Sequence, residues 1–311
     1  MARDVGADLR YFSPRTPRDF AAGGYSGLIE LVMAGEPGAA GPDGRVQNLV
    51  AEGAELHAAT ITDARTAEGG LGTWSLDEHG FAFVPAPEAV DFRDRHAVQE
   101  LYEPRVCEAV KRQTGASRVL FMSHAFRSNG AFAQFAHTDY GPDFEPLLRR
   151  MLVGRYGVSE ADAASCGMVA AGLWTPVGHP AFLDPLALLD ASSVDIERDV
   201  VRFIDVRSDL GFGGGNRPEA ERVPAATQDA PALAPLWHPS HRWVFCSDMT
   251  PSESVLFKQF DFRRGAKAAA AFHHSFTDPR HAHSGLPKRK SVECRLLLLF
   301  DEDGSDGKAR L

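Results

Sequence analysis

Beyond Met168 the chain is a succession of short apolar or alternating runs, and that succession narrows the possible folds more than anything else in the sequence. Met168–Trp174, Leu186–Leu189, Val200–Val206, His241–Phe245, Ser254–Phe257, Ala268–Phe272 and Ser291–Phe300 are separated by stretches rich in Pro, Gly or Asp, as strands separated by turns would be. Earlier, Leu56–Thr62 and Arg118–Met122 read as strands, and Ser75–Val84 as a turn feeding another, with Gly80 permitting the reversal and His79 a turn residue. Two helical stretches interrupt them. Val98, Leu101, Val106 and Val110 fall near helical spacing between Asp94 and Thr114, with Gly115 as the stop. Pro142 suits the first turn of a second helix, running through Leu147, Leu148, Met151 and Leu152 to about Tyr156. Many short strands after a helical region indicate a mainly β fold with α, a jelly-roll barrel of two packed antiparallel sheets.

A chain of 311 residues buries a large core as one domain or two. No internal repeat or convincing linker divides it. Residues 1–44, rich in Gly, Pro and Ala with one apolar cluster at Leu28–Met33, read as an arm over a single domain of residues 45–311. Ser208–Pro235 has four glycines, four prolines and no period, too long for a plain connection, so a lid or insertion is expected at 207–240. The net charge of −9 argues against a nucleic-acid partner, which requires clustered Lys and Arg. The polar start and a longest apolar run of only Leu296–Phe300 lead to the expectation of a cytoplasmic protein without a membrane span. Cys107, Cys166, Cys246 and Cys294 are widely separated, which suggests free thiols.

The chemistry concentrates in Phe135–Tyr140. In an extended backbone His137 and Asp139, at i and i+2, point the same way and can close on one ion. They are two-thirds of the facial triad by which two histidines and one carboxylate hold iron(II) with the opposite positions open. The late candidates for the third ligand are His273 and His274, of which strand alternation lets only one face inward. Arg289-x-Ser291 opens the final strand, with guanidinium and hydroxyl on one face. A guanidinium matches a carboxylate by two parallel hydrogen bonds, as the distal carboxylate of 2-oxoglutarate requires. The bland alternative for Arg289 is a surface cluster with Lys288 and Lys290. Arg295 shares the strand face and is a candidate substrate contact or the competing anchor, with Glu293 as a ready structural partner. Arg127 suits an acidic substrate, Trp174 a pocket wall, and Tyr140 a substrate contact beside the His-x-Asp pair.

Ordered blocks complete the pattern: SLDEHGF (Ser75–Phe81), AHTDYGP (Ala136–Pro142), LWTPV (Leu173–Val177), DPLALLDASSV (Asp184–Val194), HRWVFCSDMTPSESVLFKQFD (His241–Asp261), HHSFTDP (His273–Pro279) and KRKSVECR (Lys288–Arg295). From about Ala59 to Phe300 the chain resembles the hydroxylase/desaturase family of the CmcJ and AsaB type. The resemblance implies a double-stranded β-helix and an Fe(II)/2-oxoglutarate oxygenase of specialised metabolism, with dioxygen as co-substrate and a small molecule as substrate. The family's histidine stands before Ser-Phe or Ala-Phe, which selects His274. The implied site is then His137, Asp139 and His274 on iron, with Arg289 and Ser291 on 2-oxoglutarate. Two rivals stand beside it: a cupin-like, non-catalytic partner of a biosynthetic enzyme, since fold alone does not establish function, and a zinc hydrolase, which lacks an identified base.

Overall fold

The computed structural model describes residues 4–12, 28–31, 33–35, 48–51, 54–128, 132–133, 135–205 and 232–301. Its frame is a pair of five-stranded sheets. One runs in the order β1 (Val5–Phe12), β5 (Ala54–Asp63), β13 (Trp243–Phe245), β10 (Leu186–Leu189), β15 (His273–Ser275). The other runs β6 (Phe81–Pro85), β14 (Glu253–Asp261), β9 (Gly167–Pro176), β16 (Ser291–Phe300), β7 (Arg118–Arg127). Neighbouring pairs are antiparallel except β13 with β5. Two three-stranded sheets flank them, β12 (Ala232–Pro235), β11 (Val200–Asp205), β2 (Leu28–Leu31), and β3 (Met33–Gly35), β4 (Asn48–Ala51), β8 (Phe132–Ala133).

The two large sheets face each other. Phe81, Trp174, Val255 and Phe257 from one pack with Leu188 and Val244 from the other, so alternate residues of both sheets fill one interior. This is the jelly roll that the strand succession indicated. On the outer face of β16 and β9, the helix Glu103–Thr114 lays Val106 and Val110 against Val169, Ala171, Leu173, Val292, Cys294, Leu296 and Leu298. It is preceded by a helical turn at Arg95–Ala97, capped by the Asp94 carboxylate, and a π-turn at Val98–Tyr102. Gly115, at φ 68°, ends it in the left-handed conformation expected of a stop. The second helix, Glu145–Tyr156, covers the same sheet through Leu147, Leu148 and Leu152 against Leu120, Ala170, Leu297 and Leu299. No helix among the described residues is long and apolar enough to cross a membrane. The four cysteines are free thiols.

Three differences from the sequence reading have physical reasons. The first residues are no arm laid over the domain: Val5–Phe12 pairs with β5 along its whole length, and Leu9, Tyr11 and Phe12 are buried. The Gly, Pro and Ala content of residues 1–44 taken together hid so short an alternating run. Ala268–Phe272 is buried but is no strand. It meets β14 through separate hydrogen bonds, Ala271 N to Lys258 O and Asp261 N to Ala269 O, where β14 itself is irregular. The expected lid at 207–240 lies outside the described residues as far as residue 231; its described end holds β12 and the turn before β13.

Candidate metal centre

The site is built where the chain from Phe135 to Asp139 crosses the open end of β15. His137 N donates to His273 O at 3.2 Å and His273 N donates to His137 O at 3.0 Å, so the two residues are a directly opposed antiparallel pair. Residues opposed in this way present side chains to the same face. Their rings stand 4.5 Å apart between centroids. Asp139, two residues on, brings Oδ1 to 3.6 Å from His137 Nε2. One ligand atom from each of His137, Asp139 and His273 lies within 4.8 Å of the other two, and among the described residues no other His, Cys, Asp and Glu converge in this way. His137 Nδ1 lies 2.9 Å from Phe135 O. Donation to that carbonyl settles the tautomer and leaves the lone pair of Nε2 toward Asp139.

His273, and not His274, stands in this cluster, which corrects the assignment that the resemblance implied. The reason is strand parity. His273 is opposite Leu188, and Leu188 is opposite Val244. Leu188 and Val244 belong to the interior between the sheets, where the Phe257 ring also lies 5.0 Å from that of His273. His274 is opposite Ala187 and Phe245, on the other face. There its Nε2 accepts from Arg10 N at 3.2 Å and its Nδ1 meets Ser275 O. Burial pushes the His274 imidazole down to about 3, so it is a neutral strut joining β15 to β1.

Asp139 is held from two sides. Arg295 Nε donates to its Oδ2 at 2.7 Å, and its backbone N donates to Gln259 Oε1 at 2.7 Å. Burial alone would raise the Asp139 carboxyl, but the charge of Arg295 at 2.7 Å holds it well below the usual carboxylate range. Burial lowers the His273 imidazole and His137 lowers it further, while Asp139 opposes them, and the net direction is well down. A neutral ring and an ionised carboxylate are the forms that bind a metal.

The inward face of β16 continues the site. Arg289 is 2% exposed, so it is not part of a basic surface cluster. Its Nη1 donates to the main-chain oxygen of Asp184 at 2.7 Å and to the Ser275 hydroxyl, and its guanidinium lies 5.6 Å from the Trp174 ring centroid. Burial, and then the charge of Arg127, bring it down to about 10 against Asp184 and Glu293, so it remains a cation at neutral pH. Arg127 is opposite Ser291 on β7 and 3.9 Å from Glu293. Tyr140 packs on Phe144; burial raises its phenol and the Arg295 charge opposes. His79 is the turn residue expected, its Nδ1 accepting from Ser75 N.

The polar atoms left over fit a bound group. His273 Nδ1, Ser291 Oγ, Glu293 Oε1 and Gln259 Nε2 are all buried with no hydrogen-bond partner, and folded proteins seldom leave such atoms orphaned without a ligand or water to satisfy them. Two imidazoles and one carboxylate are a donor set suited to iron(II). Sequence reasoning named the cluster's neighbourhood but missed Gln259, which carried no signal beyond its place in a strand.

The interior also depends on Gly172. A Cβ at this position would fall 2.7 Å from Cε1 of Phe257, the ring that backs His273. Gly172→Ala is expected to destabilise the protein by about 1–3 kcal/mol by overpacking and to weaken metal binding by displacing Phe257 toward His273. Thermal unfolding with metal analysis checks this, and parental values for both would show that the ring yields freely.

Comparison with known proteins bears on the family and the fold. A family described as an oxidoreductase/YMDC permease-like domain matches residues 36–299. The hydroxylase/desaturase efuI of Hormonema carpetanum is 27% identical over 268 residues, covering 78% of this chain and 83% of its own. The alpha-ketoglutarate-dependent dioxygenase phiK of Fungal sp. (strain ATCC 74256) is 28% identical, covering 79% and 85%. The hydroxylase/desaturase asaB of Aspergillus flavus is 30% identical over a shorter span, 42% of this chain and 54% of its own. Among solved structures, the iron and alpha-ketoglutarate-dependent endoperoxidase NvfI superposes with a TM-score of 0.70 at 20% identity, covering 96% of this chain and 98% of that one; this likeness bears on the fold.

Proposed function

The chain belongs to the oxidoreductase/YMDC permease-like domain family and is a non-haem Fe(II)/2-oxoglutarate-dependent dioxygenase of specialised metabolism, and we propose that His137, Asp139 and His273 hold its iron while Arg289 and Ser291 take the distal carboxylate of 2-oxoglutarate. The observation that supports this most is the convergence of the three ligand atoms within 4.8 Å beside orphaned buried polar atoms on β14, β15 and β16. Bound there, iron(II) and 2-oxoglutarate would supply the electrons that activate dioxygen, the oxidant for hydroxylating or desaturating a C–H site of a small molecule. The protein's part is to bind, orient and exclude.

Each role follows from a contact. Phe135 O orients the His137 ring, Arg295 and Gln259 orient Asp139, and Phe257 backs His273. The pairing of Arg295 with Asp139 favours Arg289 over it as the anchor of the co-substrate. Arg289 instead donates to two neutral oxygens, and the adjacent Ser291 hydroxyl has no partner, so the pair can offer a carboxylate a charge-assisted hydrogen bond and a neutral one. Arg127 and Glu293, 3.9 Å apart, form a polar wall for the organic substrate beside Trp174, the cross-strand neighbour of Glu293.

Arg289→Gln tests the assignment. Losing one partner of a buried charge pair costs about 2–5 kcal/mol, so the 2-oxoglutarate concentration needed for half-maximal succinate formation is expected to rise by more than about tenfold, each 1.4 kcal/mol being a factor of ten. The requirement for the organic substrate should move much less. An unchanged requirement for 2-oxoglutarate, at saturating iron, would take the role from Arg289.

A further inference from the structure

Two irregularities in the sheet bracket the residues that touch Asp139. In the ladder between β14 and β9, Lys258 pairs with Ala171 and Phe260 with Ala170, so Gln259 is an extra residue with no opposite number. In the ladder between β16 and β7, Arg295 pairs with Ser123 and Leu296 with Phe121, so Met122 is the extra residue immediately beside Arg295. A bulge bends its strand and re-aims a side chain. Lys258 and Phe260, on either side of Gln259, go elsewhere: Lys258 to Asp261 at 2.7 Å and Ala268 O at 3.1 Å, Phe260 to the ring of Phe262. Gln259 alone is turned to Asp139, whose N–H it accepts, while Arg295 grips Oδ2. Gln259 is fully buried, and its second amide atom, Nε2, is without a partner.

From this geometry we propose that Gln259 and Arg295 are positioning residues that preset Asp139 as a one-oxygen ligand. Gln259 fixes the backbone from which the side chain springs, and Arg295 occupies Oδ2, leaving Oδ1 as the oxygen that faces His137. A carboxylate released from this clamp is free to chelate a cation with both oxygens. It would then occupy a coordination position that a chelating oxo acid needs. The clamp therefore acts on co-substrate binding through the metal ligand, without touching the co-substrate. It rests on the triad of His137, Asp139 and His273 proposed above.

The test uses the full chain loaded with Co(II), a spectroscopic substitute for iron, under conditions where no turnover is needed. The parent protein is expected to bind one Co(II), to lose it in His137→Ala, and to change its visible absorption on adding 2-oxoglutarate. Arg295→Gln and Gln259→Leu should still bind Co(II), but with an altered visible spectrum before any 2-oxoglutarate is added, and with affinity for 2-oxoglutarate at least tenfold weaker. A folded variant of either kind with the parent's spectrum and the parent's affinity overturns the clamp. So does weaker 2-oxoglutarate binding with an unaltered Co(II) spectrum, which would mean that the residue contacts the co-substrate directly. Should Arg295→Gln fail to fold, Gln259→Leu decides alone, since it leaves the ion pair of Arg295 with Asp139 intact. Absence of Co(II) binding by the parent would instead bring down the triad itself, and the clamp with it.

Discussion

His273→Ala is expected to empty the metal centre, whereas His274→Ala leaves it filled. The two residues are adjacent in sequence and equally buried, yet they stand on opposite faces of β15. His273 shares the interior with His137 and Asp139. His274 has both ring nitrogens engaged, one with Arg10 N and one with Ser275 O. Outer-shell changes around a bound metal already cost about 10–100-fold in affinity, so loss of a direct ligand should exceed that range and remove stoichiometric iron. His274→Ala should instead cost stability, about 1–3 kcal/mol for leaving the Arg10 N–H without its acceptor. Metal analysis after anaerobic iron loading, paired with denaturant unfolding, separates the two. Iron retained by His273→Ala and lost by His274→Ala would move β15 by one residue and return the ligand to His274.

Asp139→Ala is expected to fail in two independent ways. Iron binding and turnover are lost because the only anionic ligand of the triad is gone. The metal-free protein also loses stability, because Arg295, 13% exposed at its side chain, is left buried with the partner at 2.7 Å removed. Breaking a buried pair by deleting one member costs about 3–5 kcal/mol. Urea unfolding of the metal-free variant measures the second effect apart from the first. If the metal-free variant is as stable as the metal-free parent, then Arg295 finds another acceptor and the pair with Asp139 carries no stability of its own. Asp139→Asn should recover part of the packing and none of the iron.

Alternation of apolar and polar residues in short runs was enough to indicate a jelly roll, because the period of two is a local property of each strand and needs no knowledge of its neighbours. The same locality made His137-x-Asp139 legible: both side chains leave one strand on one side whatever surrounds it. Arg289 and Ser291 share a face for the same reason, although only burial to 2% exposure separated Arg289 from a surface cluster. Where the reading failed, the deciding fact was a relation between strands. Which of His273 and His274 faces inward depends on the register of β15 against β10, and a shift of one residue exchanges the two faces entirely. Nothing within the run HHSF carries that information. Gln259 stayed hidden because it is the extra residue of a bulge, and a bulge exists only as a mismatch between two strands. Arg295 was read as a substrate contact or rival anchor, and became the partner of Asp139 once pairing with β15 and β12 placed segment 135–139. The sequence by itself determined the kinds of groups available and the strands that carry them. Tertiary structure decided which of those groups meet, because pairing register and bulges set the direction of every side chain at the centre.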